Sequence, residues 1–359
     1  MIRLGFDATA KGGPGIFLSR LQTALEAMDA FSADKPDVWL QLSHKPIPAE
    51  YLESLSSRSD KRPCRLLVRT AGGYYARHYF INKPGIIRLP VLDDWYSRRK
   101  NERLNAPIRE ALRHADGIVF QSQFTYWMVQ HFIGPTPPGR CILNGVDTRL
   151  FSPEPGERRH KKNIDILVSH QFRLHKRLHD VVRTVAQLKQ LSPERPITLH
   201  VLGGDSRDAF HYARQAIAET GMADNVKFWG QQPPERLPDF YRQCDFMIAL
   251  PLWDPCPNAV VEGISCGLPV ITTEAGGIPE IIGEAGRVIT EKLPLYYTDH
   301  HHYPFLPRVN IEQAAHEAHH VLEQIDEYRA LARERALSTL SIEGIASQYI
   351  DAATILFDV

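Results

Sequence analysis

The sequence predicts an α/β protein of two Rossmann-like domains, each built on a doubly wound parallel sheet. The chain has 359 residues, which is more than one hydrophobic core usually organises, so two domains are expected. Short apolar runs that end in Gly, Ser or Asp alternate with longer amphipathic segments, a pattern typical of repeated βα units. Between the two predicted domains, residues 151–163 read FSPEPGERRHKKN. The prolines, glycine and charges in this stretch indicate a linker.

The apolar runs give the expected strands, in chain order. Those of the first half are Ile2 to Phe6, Val38 to Leu42, Arg65 to Val68, Ile86 to Leu89, Gly117 to Phe120 and Cys141 to Leu143. Those of the second half are Ile164 to Val168, Ile197 to Leu202, Val226 to Trp229, Phe246 to Leu250 and Pro269 to Thr272. We therefore predict domains at residues 1–155 and 156–340, and a capped amphipathic helix in residues 341–359 that crosses back to the N-terminal domain.

Composition excludes several classes of protein. Lysine plus arginine and aspartate plus glutamate each number 42, so no net field attracts nucleic acid. The five cysteines form no CxxC pair, which argues against a disulfide framework or a cysteine zinc site. The start, MIRLGFD, lacks signal-peptide features, and no apolar stretch approaches the roughly 20 residues of a membrane span. We expect a cytoplasmic protein, with peripheral contact at the inner face of a membrane as its closest approach to lipid.

The most informative segment runs from Phe246 to Glu280 and reads FMIALPLWDPCPNAVVEGISCGLPVITTEAGGIPE. A buried strand leads into a loop with Asp254, and a helix is predicted to begin near Asn258, with Glu262 one turn further on the same face. Unpaired N–H groups at a helix start suit a phosphate, and carboxylates accept hydrogen bonds from sugar hydroxyls. The segment therefore favours a nucleotide sugar, bound where neighbouring strands end. Alternatively, Asp254 is a turn residue and Glu262 a helix-surface carboxylate.

The stretch DPCPNAVVEGISCGLPVITTEAGGIPE closely resembles the donor-site signature of the family 4 retaining glycosyltransferases. The resemblance implies the GT-B fold, in which two Rossmann-like domains face each other across a cleft. It also implies that Glu262 holds the donor ribose, and that the loop at Asp254 faces the transferred sugar and diphosphate. Asp254 stands where most members have Glu. The backbone that follows is expected to bind the donor through Pro257, Asn258, Ala259 and Val260.

Other segments resemble the same family. They are CILNGVDTRLFSP (residues 141–153), HADGIVFQSQFT (114–125) and VKFWGQQPPERLPDFYRQCD (226–245). The last precedes the donor site in the family and places Gly230 among the donor-binding residues.

A basic element is needed to neutralise the departing diphosphate, and SHQFRLHKRLHD (169–180) provides one. The family places an Arg five or six residues before a Lys. Lys176 matches the lysine, whereas His170 and Gln171 occupy the earlier positions. We predict that Arg173 substitutes, because Arg binds phosphate in a fixed fork. A solvated basic loop is the alternative.

Two segments of the N-terminal half are expected to face the donor or acceptor. The loop DATAKGGPGIFLSRL (7–21) resembles the family's first loop, and its glycines would let the backbone approach a ligand. The stretch RTAGGYYARHYF (69–80) lies where many relatives have a His that touches the donor sugar. The predicted residues are Gly12, Gly13 and Gly15 in the first segment, and Arg69, Gly72, Gly73 and His78 in the second. The basic and aromatic run DDWYSRRKNERLNAP (93–107) would suit an anionic or lipid-linked acceptor or, alternatively, form a solvated helix.

Two histidine-rich segments suggest metal sites that we do not expect. His316, Glu317 and His320 match the zincin pattern HExxH, but Ile311, Ala315, Ala318, Leu322 and Ile325 define the buried stripe of that helix and leave the histidines at its edge. His300, His301 and His302 form the other. No metal and no cofactor are predicted, since the nucleotide sugar is a substrate.

Taken together, the sequence predicts a retaining, metal-independent glycosyltransferase of polysaccharide biosynthesis. The donor is expected to carry UDP or GDP, and the acceptor is a glycan, a lipid-linked molecule or a small molecule. Two alternatives remain: a non-hydrolysing nucleotide-sugar epimerase, and a catalytically silent nucleotide-sugar-binding subunit.

Overall fold

The computed structural model describes residues 2–10, 12–49, 51–52, 64–73, 90–154, 162–204, 207–291 and 308–357. The chain divides into two compact units. The first contains the described residues up to Asp147 together with those from Ser341 onward, and the second runs from Thr148 to Leu340. Each unit has its own parallel sheet and its own core.

The described residues of the first unit form a five-stranded parallel sheet, whose strands lie side by side in chain order. Helices cover both of its faces, with Gly13–Ala27 and Ile342–Thr354 on one and Pro90–His114 on the other. A further helix, Gln123–Phe132, begins at Ser122, whose hydroxyl caps it. The strands are β1 Leu4–Gly5, β2 Val38–Leu42, β3 Arg65–Thr70, β4 Gly117–Phe120 and β5 Gly139–Cys141.

The C-terminal helix belongs to the first unit. Ser341 caps it by accepting a hydrogen bond from the Gly344 backbone, and Ile342 N donates to Val146 O at 2.9 Å. Tyr349 is fully buried, and its hydroxyl accepts a hydrogen bond from Arg69 Nε at 3.0 Å. The helix therefore supplies part of the core in which the chain's first helix also packs.

Within the described part of the second unit, six strands form a parallel sheet in the order β11-β10-β9-β6-β7-β8. The helices Leu178–Leu191, Arg207–Thr220 and Ile311–Glu323 pack together on one face. The shorter helices are Leu237–Gln243, Asn258–Ser265, Ile278–Ile282 and Ile325–Arg335. The strands are β6 Ile164–Ser169, β7 Ile197–Leu202, β8 Val226–Gly230, β9 Phe246–Ala249, β10 Val270–Thr273 and β11 Gly286–Ile289.

The order of the second sheet reverses between β6 and β9. From β6 the chain moves outward through β7 and β8, and it then returns to β9 and proceeds outward on the other side. The carboxyl ends of strands that flank such a reversal leave a crevice, which is the usual ligand site of an open α/β sheet. The first sheet differs from the prediction, because its described strands follow chain order without a reversal. The predicted strand at residues 86–89 lies outside the described residues.

Candidate functional site

Three segments meet at the reversal of the second sheet. Residues 170–177 follow β6, residues 250–257 follow β9, and a turn at residues 274–277 follows β10. The segment after β9 is held to the segment after β6 by Leu252 N, which donates to His175 O at 2.6 Å. The rings of Trp253 and His175 stack with centroids 5.1 Å apart and planes 9° from parallel. The predicted donor loop is therefore fixed against the predicted basic segment.

Lys176 and Asp254 form an ion pair across these two segments. Their side chains are 11% and 14% exposed, so the pair is only weakly screened by solvent. The structure thus joins two of the predicted catalytic residues. The third, Arg173, is exposed and lies directly before the 3-10 turn Leu174–Lys176.

The glycine turn after β10 packs against Asp254. Gly277 N donates to Asp254 O at 2.8 Å. Gly276 has φ +96°, and a Cβ at Gly276 would lie 2.7 Å from Asp254 O. The missing side chain therefore allows the protein's own backbone to approach closely.

Glu262 is buried, at 4% exposure, one turn into the helix Asn258–Ser265. Its Oε2 accepts a hydrogen bond from the Tyr241 hydroxyl at 2.9 Å. Burial, and then the Glu262 charge, raise the pKa of Tyr241 well above its ordinary value, so the phenol remains a donor. This burial excludes the alternative that Glu262 is a helix-surface carboxylate.

The start of the same helix has no side-chain cap. The N-cap residue is Pro257, which has no side-chain oxygen. Asn258 and Ala259 are half-buried and Val260 is buried. The predicted donor-binding backbone therefore lies between Asp254 and Glu262 in a partly covered position.

Sequence reasoning missed Arg177, the residue after Lys176. It is fully buried and has φ +50°, an unusual conformation for a non-glycine residue. Its guanidinium donates to both carboxylate oxygens of Glu291, at 2.6 and 2.9 Å. It also donates to Leu250 O at 2.7 Å and to Pro251 O at 3.1 Å. Arg177 therefore ties the loop after β9 to the segment beyond β11, but in the sequence it is only one more basic residue.

His170, the residue directly after β6, is also buried, at 7% exposure. Gly203, at the end of β7, lies against it with φ +130°, and a Cβ there would be 1.7 Å from His170 O. Gly230, a predicted donor-binding residue, is exposed, has φ +68°, and accepts a hydrogen bond from Gly203 N at 2.9 Å. These strand ends therefore form one tightly packed row of backbone.

Replacing Gly203 by Ala is expected to lower the free energy of unfolding by about 3 kcal/mol, because the new methyl group would displace the His170 backbone. Gly134→Ala is the control. Gly134 has φ +119°, but a methyl group there would meet open space. Only the unfavourable backbone conformation should therefore lower the free energy of unfolding, by about 1–2 kcal/mol. Urea unfolding measures both, and equal losses would contradict the steric explanation.

Three of the five predicted glycines of the first unit, Gly15, Gly72 and Gly73, allow close packing. A Cβ at Gly15 would lie 1.6 Å from Ala10 O, and Gly12 has φ +73°. Gly13, like Gly12, is exposed at the helix start. Cβ atoms at Gly72 and Gly73 would lie 2.8 Å from Met128 Cε and 2.6 Å from Ile133 Cδ1.

Arg69 lies in the core of the first unit, at 2% exposure. It donates to Tyr349 Oη at 3.0 Å and to Asn144 Oδ1 at 2.5 Å, and its guanidinium lies 4.3 Å from the Phe17 ring centre. These contacts give the side chain a clear packing role. Its contact with a sugar or an acceptor stays a prediction, and His78 lies outside the described residues.

The run at residues 93–107 lies within the helix Pro90–His114. Trp95 is 56% exposed, and the Arg99 guanidinium lies 5.3 Å from its ring centre. Arg109 pairs with Glu102 at 2.5 Å. None of the helices within the described ranges is both long and apolar enough to cross a membrane.

The zincin-like residues lie on the helix Ile311–Glu323, where Ala315, Ala318 and Leu322 are buried as predicted. Glu317 accepts a hydrogen bond from Arg287 Nε at 2.5 Å, and the His320 ring packs edge-on against Tyr328. Both groups are thus engaged by neighbouring side chains. His300, His301 and His302 lie outside the described residues.

Residues 153–293 match the family described as Glycosyl transferases group 1. This part of the chain is a glycosyl transferases group 1 domain. The matched range contains the whole described site, from His170 and Lys176 through Glu262 to Glu291.

Two curated relatives are mannosyltransferases by name. The lipopolysaccharide core biosynthesis mannosyltransferase LpsB of Rhizobium meliloti is 28% identical over 52% of this chain and 61% of its own length. The GDP-mannose-dependent alpha-(1-6)-phosphatidylinositol monomannoside mannosyltransferase of Mycolicibacterium smegmatis is 26% identical over 50% of this chain and 52% of its own. The matches therefore span about half of this chain and just over half of each relative.

Solved structures share the fold over the whole chain. A sucrose-phosphate synthase of Thermosynechococcus elongatus has a TM-score of 0.67 at 18% identity and covers 100% of both chains. HepE of Anabaena in complex with UDP has a TM-score of 0.67 at 18% identity and covers 99% of this chain and 100% of that one. With the two parallel sheets, these similarities confirm the predicted GT-B fold class of the glycosyl transferases group 1 domain and the N-terminal unit.

Proposed function

We propose that this protein is a retaining, metal-independent glycosyltransferase that uses a nucleoside-diphosphate sugar. The observation that most supports this is the Lys176–Asp254 ion pair at the carboxyl ends of β6 and β9, inside the matched family range. A cation at such a strand end can meet the diphosphate, and a carboxylate beside it can accept hydrogen bonds from sugar hydroxyls.

The donor is bound by three groups in this proposal. Glu262, positioned by Tyr241, accepts hydrogen bonds from the ribose hydroxyls. The uncapped start of the helix Asn258–Ser265 faces the diphosphate with backbone N–H groups. Lys176 and Arg173 neutralise the negative charge that builds on the diphosphate as the sugar leaves. Positive charge for the leaving group thus comes from the protein, and no divalent metal is needed for it.

The nucleoside diphosphate of the donor is UDP or GDP. UDP is supported by the HepE structure, which contains it, and GDP by the relative that is named as GDP-mannose-dependent. The acceptor is a glycan, a lipid-linked molecule or a small molecule, and we assign it to the first unit. The names of the two curated relatives, which refer to lipopolysaccharide core and to a phosphatidylinositol mannoside, favour a glycan or a lipid-linked acceptor.

We further propose a cytoplasmic location, where nucleotide sugars are available. None of the five cysteines, all of which lie within the described ranges, forms a disulfide in the structure, as suits a reducing compartment. Exposed Trp95 beside Arg99 on the helix Pro90–His114 suits peripheral contact with an anionic membrane surface.

A thermal-shift screen with UDP, GDP, ADP and their sugars tests the proposal, because a ligand that binds the native state raises the melting temperature. One nucleoside diphosphate is expected to stabilise the protein. Glu262→Gln should weaken its binding by about 10–100-fold, the equivalent of losing charged hydrogen bonds worth roughly 1.5–3 kcal/mol. Tyr241→Phe should weaken it severalfold, because the Glu262 carboxylate loses the hydroxyl that orients it.

Glu219→Gln is the matched control, since Glu219 is an exposed carboxylate in the same unit that pairs with Arg183. It should bind the nucleotide like the wild type. Absence of binding by the wild type, or unchanged binding by Glu262→Gln, would contradict the proposal. Solvent deuterium entering the donor sugar without any acceptor would instead identify an epimerase.

A further inference from the structure

His170 is held firmly at the end of β6. Its backbone N donates to Leu202 O at 3.1 Å, and Gly203 packs against its carbonyl. Its ring lies edge-on to Phe172, with ring centres 6.1 Å apart. The imidazole therefore has a fixed place beside the strand reversal, six residues before Lys176.

The Nε2 atom of His170 is buried and has no hydrogen-bond partner in the part of the chain that the structure describes. Buried polar atoms are almost always paired, because leaving one unpaired destabilises the fold. His200 in the same sheet shows the ordinary case at 8% exposure. Its Nε2 lies 3.0 Å from Asp165 Oδ1, and its Nδ1 accepts from Trp229 Nε1 at 3.1 Å. The unpaired nitrogen of His170 therefore points to a partner that the described residues do not supply.

The chemistry of that partner follows from the surroundings. Burial, and then the charge of Lys176, hold the pKa of His170 well below its usual value, so the ring is neutral and has one N–H. The Lys176 charge favours an anion nearby, and the oxygen atoms of an anion can only accept hydrogen bonds. His170 must then present its N–H at Nε2.

We infer that His170 donates a hydrogen bond from Nε2 to the diphosphate of the bound nucleotide sugar, beside Lys176. This inference rests on the proposed function and adds a catalytic residue to it. When the bond between the anomeric carbon and the diphosphate oxygen breaks, the electron pair stays with the diphosphate. A fixed N–H stabilises that growing charge without transferring its proton. His170 then takes the role of the arginine that the family places five or six residues before the lysine. We had predicted that role for Arg173.

Isothermal titration with diphosphate and monophosphate nucleotides tests this assignment. Wild-type protein is titrated with UDP, UMP, GDP and GMP. The variants are then titrated with the uridine or the guanosine pair, whichever contains the diphosphate that the wild type binds. His170→Leu is expected to weaken binding of the diphosphate about tenfold, to leave the monophosphate within about twofold, and to lower kcat more than tenfold. Its melting temperature without ligand should be unchanged or higher, because Leu fills the space without an unpaired nitrogen.

Two variants serve as controls. His170→Gln places an amide N–H near the position of Nε2 and should keep the preference for diphosphate within about threefold of wild type. His200→Leu should lower the melting temperature, since it breaks existing hydrogen bonds, but should keep the preference.

The outcomes separate two failures. If the wild type binds neither diphosphate, the proposed function is wrong. If the wild type binds a diphosphate and His170→Leu keeps the wild-type preference over the monophosphate, the assignment of His170 is overturned. Should His170→Leu not fold, His170→Gln and His170→Ala decide, because equal loss of preference in both, or equal retention, would also overturn it.

Discussion

Replacing Arg177 by Met is expected to lower the free energy of unfolding of the second unit by about 3–5 kcal/mol. The variant would leave the Glu291 carboxylate, which is 4% exposed, without its bidentate partner. The carbonyls of Leu250 and Pro251 would lose their donor as well. For a unit of this size the melting temperature should fall by about 10 °C, which scanning calorimetry would measure.

Arg177→Lys should recover little, because an ammonium cannot serve the carboxylate and the two carbonyls from one planar fork. The double variant Arg177→Met, Glu291→Leu should recover part of the loss, since no buried charge remains unpaired. Arg183→Met is the control, because Arg183 is 29% exposed and pairs with exposed Glu219, and it should cost less than about 1 kcal/mol. A melting temperature for Arg177→Met within about 2 °C of the control would show that Arg177 does not support the loop after β9.

Replacing Lys176 by Met is expected to lower kcat by about 100–1000-fold, the usual loss when one preorganised charge is removed from the leaving group. The KM for the donor should rise much less, because the helix start and Glu262 still bind the nucleotide. Initial rates of nucleoside diphosphate release, measured at saturating acceptor, give both values.

A variant of Asp254 tests the contribution of the Lys176–Asp254 ion pair itself. Asp254→Asn removes the partner of Lys176 but keeps the shape of the side chain, so a double-mutant cycle with Lys176→Met isolates their coupling. Expressed as activation free energies, the losses of the two single variants should sum to more than the loss of the double variant. Lys189→Met is the control, because Lys189 is an exposed residue of the same unit and its ammonium bonds only Asn225 in the described contacts. A kcat for Lys176→Met close to that of the control would remove Lys176 from the chemistry.

The strands were largely predictable because most are buried and apolar. Val38–Leu42, Gly117–Phe120 and Ile197–Leu202 have the bounds that the sequence indicates. Two edge strands were harder, since their half-exposed residues lack a continuous apolar run. The strand Gly139–Cys141 begins two residues before the predicted Cys141, and Gly286–Ile289 was not predicted.

The family resemblance selected part of the candidate site from the sequence, and the roles of its residues stay predictions. The sequence brought Lys176, Asp254 and Glu262 into one hypothesis, and the structure places Lys176 against Asp254. It could not reveal the importance of Arg177 or His170, because that importance depends on burial and on partners that are distant in the chain or not among the described residues. Arg177 and Glu291, for example, are 114 positions apart.

The C-terminal helix determines the order in which the two units are completed during synthesis. The first unit needs Tyr349, which bonds Arg69 from 280 positions away, and Ile342 and Ile345 in the same core. All residues of the second unit leave the ribosome before this helix does. Domains usually fold in the order in which they are synthesised. Here the second unit is complete first, while the face of the N-terminal sheet that Gly13–Ala27 covers still lacks its second helix. Binding by a chaperone would protect this partly uncovered face from aggregation.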